Sequence, residues 1–372
     1  MRASLRVVLS SPLSAGYYDP RVLDRRFYIR PSSVKGLWKW WARAFVAGIL
    51  YERGCLRGRS VGPFLAVPDW ESAERVVRHV GETLGLGMPS FASKFTLETA
   101  VIREPWVYSA SGQRYIRGPR GNIFLHRLYL TSLGGRTEYA VGGEFEISVE
   151  GPDDVVVFNT AVSILLTALT LGCVGKGGRK GLGCLDVVSP GPPVGKNVGE
   201  LIEYARGRLS QLVRDRCGAP GGMPPMPALT PKYSEVYEVV GISLEDLHNF
   251  FYRPHRAVKL TGTYFDEVRN RLVAWAMGLP RGQAKQGTGY FSKAERRAST
   301  VMAAYHERHR YSASVVTLIK SADWPAEIEW SGGGSARIRV DERVVEEAYD
   351  IVKNVFVEYV QKLGGSVRRV WP

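Results

Sequence analysis

Residues 153–188 carry the pattern that most limits what this chain can fold into. An apolar run from Val155 to Gly172 leads into Cys173-Val174-Gly175-Lys176-Gly177-Gly178-Arg179-Lys180-Gly181-Leu182-Gly183, and Cys184-Leu185-Asp186-Val187-Val188 reads as a strand. The run holds Asn159, Thr160, Ser163, Thr167 and Thr170 and sits between Asp153-Asp154 and a basic loop. A helix buried between layers fits it better than a membrane span of minimum length. The loop glycines allow positive φ and close backbone approach. Lys176, Arg179 and Lys180 add positive charge to exposed amides, which suits a phosphate chain. The loop is no nucleotide-binding P-loop. It lacks the GK[ST] ending and runs helix–loop–strand, whereas a P-loop needs a helix N-terminus after the loop.

The surrounding pattern extends this to a fold class. Leu5–Ser10 reads as a strand and Arg26–Arg30 as a second, broken by Pro31. Ser32 or Ser33 is placed to cap a helix from Val34 to about Leu50. On it Trp38, Trp41, Phe45 and Ile49 form the buried stripe, and Lys35, Lys39 and Arg43 share another face. Gly36 leaves room for a close neighbour at the helix start. A peripheral helix over 70–84, a strand over 91–99, a loop over 103–122 and strands over 124–133 and 144–149 come before the apolar helix. The order is the ferredoxin-like βαββαβ pattern, an α+β class. A peripheral helix over 199–217 follows, then a Pro/Gly segment over 218–234 that reads as a linker. The remainder, 235–372, shows strands over 236–240, 312–320, 326–330 and 336–340 and helices over 244–251 and 265–277. Asp341 caps a last helix to about Leu363. This predicts two ferredoxin-like units in tandem, 1–217 and 235–372.

Composition narrows the partner. Fifty Lys+Arg stand against 36 Asp+Glu, a formal charge of +14, which favours nucleic acid. Cations interleave with aromatics at Arg25–Arg30, Arg114-Tyr115-Ile116-Arg117 and Arg308-His309-Arg310-Tyr311, the composition of a single-strand binder. The start, Met1–Arg6, has no apolar signal region, so a cytoplasmic protein is expected. Cys55, Cys173, Cys184 and Cys217 form no CxxC pair, and His306-Glu307-Arg308-His309 is not HExxH, so neither a metal nor a cofactor is expected. His306 and His309 read as a basic surface helix end. Cys173 and Cys184 flank the loop and can face each other across it. Free thiols are expected in an ordinary cytosol and a bridge in a thermophile, a source to which the few Asn and Gln and many Arg point. His255 near Tyr252, or Tyr17 and Tyr18 with Lys35, are the groups a metal-independent ribonuclease could use, and nothing selects them.

Four stretches resemble the RAMP proteins of type III CRISPR systems, in particular the first RAMP subunit of type III-B (Cmr) complexes. Arg30-Pro31-Ser32-Ser33-Val34-Lys35-Gly36-Leu37-Trp38-Lys39-Trp40-Trp41-Ala42-Arg43-Ala44 is similar to the family's N-terminal signature. Ser11-Pro12-Leu13-Ser14-Ala15-Gly16-Tyr17 resembles its strand-to-turn opening, and 175–183 its glycine-rich loop. Gly278-Leu279-Pro280 with Arg296-Arg297-Ala298-Ser299 resembles a paired motif of the subunit. Lys39 stands where the family commonly has arginine, and Thr300 where it has proline.

The resemblance implies two ferredoxin-like units around a basic cleft. It implies a place beside another RAMP subunit at the head of a ribonucleoprotein. It also implies contact with single-stranded guide or target RNA toward the guide's 3′ end, without target cleavage. Carried onto this chain, the RNA-binding residues are Lys35, Lys39, Arg43, Lys176, Gly177, Gly178, Arg179, Lys180, Arg296 and Arg297. The alternatives are a RAMP endoribonuclease that processes guide RNA, and an assembly subunit that touches proteins alone. The processing enzymes usually carry the glycine loop near the C-terminus, with a general-base histidine in the first unit. Here the loop is central, and His79 and His126 lie away from the first-helix motif.

Overall fold

A computed structural model describes residues 1–16, 19–112, 115–118, 121–125, 128, 132, 134–189, 195–252, 268, 271–279, 281–283, 288–294, 296–332 and 334–372. Tyr17, Tyr18, Arg114, His126, His255 and Pro280 lie outside these. The first half runs β1 (Arg2–Leu9), α1 (Pro31–Glu52), β2 (Gly58–Val61), β3 (Phe64–Pro68), α2 (Trp70–Arg78), β4 (Thr96–Arg103), β5 (Trp106–Ala110), β6 (Tyr115–Gly118), β7 (Gly121–Phe124), β8 (Thr137–Val141), β9 (Glu144–Glu150), α3 (Val155–Leu171) and β10 (Leu185–Val187). The second half runs α4 (Val198–Leu212), β11 (Ser234–Val240), α5 (Leu244–Tyr252), β12 (Arg281–Gln283), β13 (Thr288–Phe291), β14 (Val301–Ala304), β15 (Ser314–Ile319), β16 (Glu327–Ser331), β17 (Ser335–Arg339), α6 (Glu342–Lys362) and β18 (Ser366–Trp371).

The first sheet has the order β10-β1-β9-β4, all antiparallel. Numbered within the βαββαβ unit this is fourth, first, third, second. The second sheet, β14-β15-β11-β18, has the same order read from its other edge, with α5 and α6 as its two helices. The α+β class and the repeated topology agree with the expectation. The extra strands of the second unit, β12, β13, β16 and β17, form one further sheet.

Local physics explains most elements. Val34, Trp38, Trp41 and Phe45 are buried along α1, and the Trp38 indole N–H donates to Ala161 O of α3 at 2.8 Å. Asp154 caps α3, Asn197 caps α4 and Asp341 caps α6, each accepting from backbone N–H groups of the first turn. Alternate residues of β1, Leu5, Val7 and Leu9, face the helices. The other face of this sheet pairs Arg2 with Glu150, Ser4 with Ser148 and Arg6 with Glu146 in register, and Arg6 also bonds Glu144. That open face is a charged ladder without aromatic residues, so a base-stacking platform does not lie there.

Several expectations are corrected. Residues 26–30 form a turn, because Asp24 accepts from the Arg26 N–H through its side chain and from the Tyr28 N–H through its carbonyl. Helix α1 begins at Pro31, where a missing N–H costs nothing, and neither Ser32 nor Ser33 caps it. The segment 103–122 holds β5, β6 and the start of β7 rather than a loop. Phe124 ends β7, and Leu128 and Ser132 are helical. Helix α4 is not peripheral: Leu201, Ile202, Ala205 and Leu209 are buried, and Arg206 pairs with Glu52 of α1 at 2.6 Å. Of the expected helix over 265–277, Val268 is helical and Ala274–Met277 form a 3-10 turn, while 265–267 and 269–270 lie outside the described residues. Met223, Ala228, Leu229 and Tyr233 of the Pro/Gly segment are buried, so it crosses between the units as a packed strap. No helix among the described residues is long and apolar enough to cross a membrane. The bridge foreseen across the loop, Cys173–Cys184, is formed, and the other two cysteines form a second, Cys55–Cys217.

Candidate nucleic-acid interface

The glycine loop leaves α3 at Gly172 and returns to β10, with the Cys173–Cys184 bridge at its neck. Its glycines answer to the loop's own backbone. A Cβ at Gly178 would stand 2.3 Å from Cys173 O, and one at Gly183 2.0 Å from Val174 O, where φ is also +71°. The space beside Gly178 is therefore filled by the chain itself, whereas the sequence pointed to RNA or a neighbouring subunit there.

The loop's outer half docks on the second unit. Lys180 pairs in parallel with Ala303 at the edge of β14, the Gly181 N–H donates to Ala303 O at 3.0 Å, and the Ala303 N–H to Arg179 O at 3.0 Å. His248 of α5 donates through Nδ1 to Lys180 O at 2.7 Å. The Lys180 ammonium is buried, 3.3 Å from Met277 O, 3.2 Å from Val301 O and 4.3 Å from the Phe251 ring. Lys180 is an internal tie between the units.

Arg179 is the meeting point of three separate motifs. Its guanidinium lies 4.9 Å from the Trp40 ring of α1 and donates to Ser299 O at 2.6 Å. Burial, then the nearby charge of Arg297, lowers its pKa from the usual guanidinium value. Arg297 is itself buried, bonded to Asp323 Oδ1 at 2.7 Å and Ser321 Oγ at 2.9 Å, and stacked 4.1 Å from Trp324. It holds the segment 296–299, whose neighbour Arg296 is exposed. The sequence treated Arg296 and Arg297 as a pair; strand-like alternation sends one outward and one inward.

On α1, Lys35 and Lys39 are half-buried and Arg43 is exposed. Lys39 Nζ donates to Gly87 O at 3.0 Å, and Lys35 Nζ stands 3.5 Å from Phe95 O. Burial lowers the Lys35 pKa; burial, then the charges of Lys35 and Arg43, lowers that of Lys39. No carboxylate among the described residues pairs with any of the three. Such a crowded cationic row gains from an external polyanion. Lys176 is half-buried and reaches Pro20 O.

Beside the loop rises the β6–β7 hairpin. Ile116 and Leu125 pack in one small core with Leu182 of the loop and Leu244 of α5, and the Phe124 N–H donates to Glu245 at 2.8 Å. Tyr115 and Phe124 face each other across the strands, exposed, with ring centroids 5.5 Å apart. The site thus gains Trp40 and Phe124, which were not singled out from sequence as binding residues, and Tyr115, which the sequence marked within a cation–aromatic stretch. The pairing of Tyr115 with Phe124 was readable from the alternation Tyr115-Ile116 and Ile123-Phe124 on either side of the sequence Gly-Pro-Arg-Gly.

The histidines are structural where they are described. His306 Nδ1 bonds Asp186 Oδ1 at 2.7 Å and Nε2 bonds Thr170 O at 2.8 Å, all buried between the two units. His309 stacks beside it, 4.3 Å away, with its pKa pushed well below the usual value by burial and by His306. The expectation of a basic surface helix end is overturned: the segment closes the unit interface, because its imidazoles find the unpaired carbonyl and carboxylate there.

Residues 8–186 match the family model of the RAMP superfamily. No curated protein matches the chain in sequence. Among solved structures, the chain is similar to Cmr1 from Pyrococcus furiosus in its apo form, with TM-score 0.53 and 16% identity, covering 100% of this chain and 99% of that one. It is also similar to a chain of the type III-B Cmr-beta complex bound to cognate target RNA, with TM-score 0.54, 13% identity, and 95% and 99% covered. A second structure of that complex, with target RNA and AMPPnP in the presence of ssDNA, gives TM-score 0.52 and 12% identity over 95% of this chain and 98% of that one. The match to the RAMP superfamily model thus falls on the first unit, with its signature helix and glycine loop, and the whole chain has the fold seen in Cmr1.

Proposed function

We propose that this protein is a non-catalytic RNA-binding subunit of a type III-B CRISPR effector. In this reading it sits beside another RAMP subunit at the head of a cytoplasmic ribonucleoprotein and holds single-stranded guide or target RNA toward the guide's 3′ end. The observation that carries the proposal is the convergence at Arg179 of α1, the glycine loop and the segment 296–299. It draws the exposed Arg43 and Arg296 and the half-buried Lys35, Lys39 and Lys176 into one region, in which no carboxylate among the described residues pairs with Lys35, Lys39, Arg43 or Arg296. The Tyr115–Phe124 pair borders the same loop and offers a face to bases. Arg179, Lys180 and Arg297 build this surface from within. Gly177 and Gly178 let the loop turn. A non-catalytic role is supported by His79, His248, His306 and His309, each bonded to protein groups in the interior.

The test is a salt titration of single-stranded RNA binding by the variant Arg43→Ala/Lys176→Ala/Arg296→Ala. Three lost phosphate contacts should flatten the slope of log K against log salt by about 2. Lys180→Ala is the contrast: it should lower stability and leave the slope unaltered. An unchanged slope in the triple variant refutes the placement. Specific cleavage of repeat RNA by the purified chain alone would establish the processing-enzyme reading instead.

A further inference from the structure

At the far end of α1 lies a second cationic surface that the proposed site does not use. It is about 26 Å from Lys35 at 1.5 Å per residue. The Cys55–Cys217 bridge joins segments 162 residues apart in sequence, with Cα atoms 4.9 Å from each other. The Cys217 N–H donates to Arg53 O at 2.9 Å and Gly54 lies against Gly218, so residues 53–55 and 217–218 run side by side. Arg57 is tied to the start of α2, and Asp215, which stands between Arg214 and Arg216, is tied to its far end, so the two arginine pairs, Arg57 with Arg59 and Arg214 with Arg216, lie toward the two ends of that helix. All four are exposed, and none has a carboxylate partner among the described residues.

The carboxylates nearby are already engaged, with one exception. Asp215 holds Arg75 at 3.1 Å, Arg78 at 3.5 Å and His79 at 2.7 Å. Asp69 caps α2 through the Ser72 N–H, and Glu71 pairs with Arg75. Glu74 is the exposed acid that remains. Against it stand the four arginines, so the patch keeps a positive excess.

An aromatic face completes the surface. Trp70 is 78% exposed, the highest value among the described large apolar side chains. It opens α2, which is fixed to the arginine strand: the Asp69 N–H donates to Arg57 O at 3.0 Å and the Arg57 N–H to Ser72 Oγ at 2.8 Å. The platform is rigid on its other side too. Strand β3 bonds the second unit through Leu65 N–H to Trp324 O at 2.8 Å and Ala66 N–H to Ala322 O at 3.1 Å. An uncovered indole on a rigid support costs free energy in water and gains it when a flat ring stacks upon it. Unpaired guanidinium groups beside it match phosphates.

We infer that Arg57, Arg59, Arg214, Arg216 and Trp70 form a second binding site for single-stranded nucleic acid, distinct from the region around Arg179. Phosphates would lie on the arginines and one base on the Trp70 indole. The experiment uses the full chain, a fluorescent single-stranded oligonucleotide and ultraviolet cross-linking with peptide mapping. Cross-links should appear on the peptide carrying Trp70 and disappear in Trp70→Ala. They should persist in Arg43→Ala/Lys176→Ala/Arg296→Ala, which separates this site from the proposed one. Arg57→Ala/Arg59→Ala/Arg214→Ala/Arg216→Ala should flatten the salt slope by about 3, at about 0.7 per phosphate contact. Cys217→Ser should weaken the same cross-link, because the bridge ties the segment of Arg214 and Arg216 to the one that leads into Arg57. Absence of a Trp70 cross-link together with an unchanged slope overturns the inference. So does displacement of nothing by RNA where polyglutamate binds, which would mark an acidic protein as the occupant.

Discussion

Replacing Asp186 tests the joint between the two units most directly. Its carboxylate is 1% exposed and accepts three bonds: from His306 Nδ1 at 2.7 Å, the Glu307 N–H at 3.0 Å and the Arg308 N–H at 2.7 Å. Asp186→Ala strands all three donors in the interior. Breaking a buried pair by removing one partner costs about 3–5 kcal/mol, so a loss of about 4 kcal/mol is expected even if water reaches one N–H. For a chain of 372 residues, an unfolding entropy of about 2.1 cal/mol/K per residue gives about 0.8 kcal/mol/K. The midpoint should fall by about 5 °C in differential scanning calorimetry if the two units unfold together. Asp186→Asn keeps an oxygen for the backbone donors and should lose about half as much. Asp186→Leu/His306→Leu removes both polar partners and should be less damaging than Asp186→Ala alone. A midpoint for Asp186→Ala within 1 °C of the parent would refute the assignment of this contact as a principal tie.

Other outcomes follow from the same geometry. His309 is held well below the usual histidine value, so the folded chain binds that proton less readily than the unfolded one, and stability should fall as pH drops below about 6.5. His309→Phe should show a smaller loss of melting temperature between pH 7.5 and 5.5. Cys55–Cys217 closes a loop of 162 residues and Cys173–Cys184 one of 11, so loop entropy assigns them about 5 and about 3 kcal/mol; denaturant melts of Cys55→Ala/Cys217→Ala and Cys173→Ala/Cys184→Ala should rank in that order. Gly183→Ala forces a Cβ onto Val174 O and should cost at least 2 kcal/mol, seen as a lowered denaturation midpoint.

Much of the architecture was legible because periodicity is a local property. The stripe on α1, the uniformly apolar α3 and the capped α6 each declare themselves within one window. The elements that escaped are those whose reason lies elsewhere in the chain. Strand β18 pairs with β11, and β14 is held between β15 and the loop at Lys180; neither has a local pattern strong enough to name it. The site divides the same way. Charge marked Lys35, Lys39, Arg43, Lys176 and Arg296, but charge alone does not tell an outward arginine from an inward one. Arg297 and Lys180 are interior because a Trp324 ring, a Phe251 ring and unpaired carbonyls wait for them, and no window of sequence shows that. The His306–His309 segment misled for the same reason.

The parallel pairing of Lys180 with Ala303 also shields the chain from itself. Strand β14 is an outer strand of its sheet, with a buried apolar sequence, Val301-Met302-Ala303-Ala304. Such an edge, left bare, recruits strands from other molecules. Here a segment made more than a hundred residues earlier is already in place to cover it, closed into position by the Cys173–Cys184 bridge. A fragment beginning at the Pro/Gly strap would keep every strand of the second sheet and lose its cover. Such a fragment would be prone to self-association through β14, and the glycine loop is in that sense a guard for the half of the molecule it does not belong to.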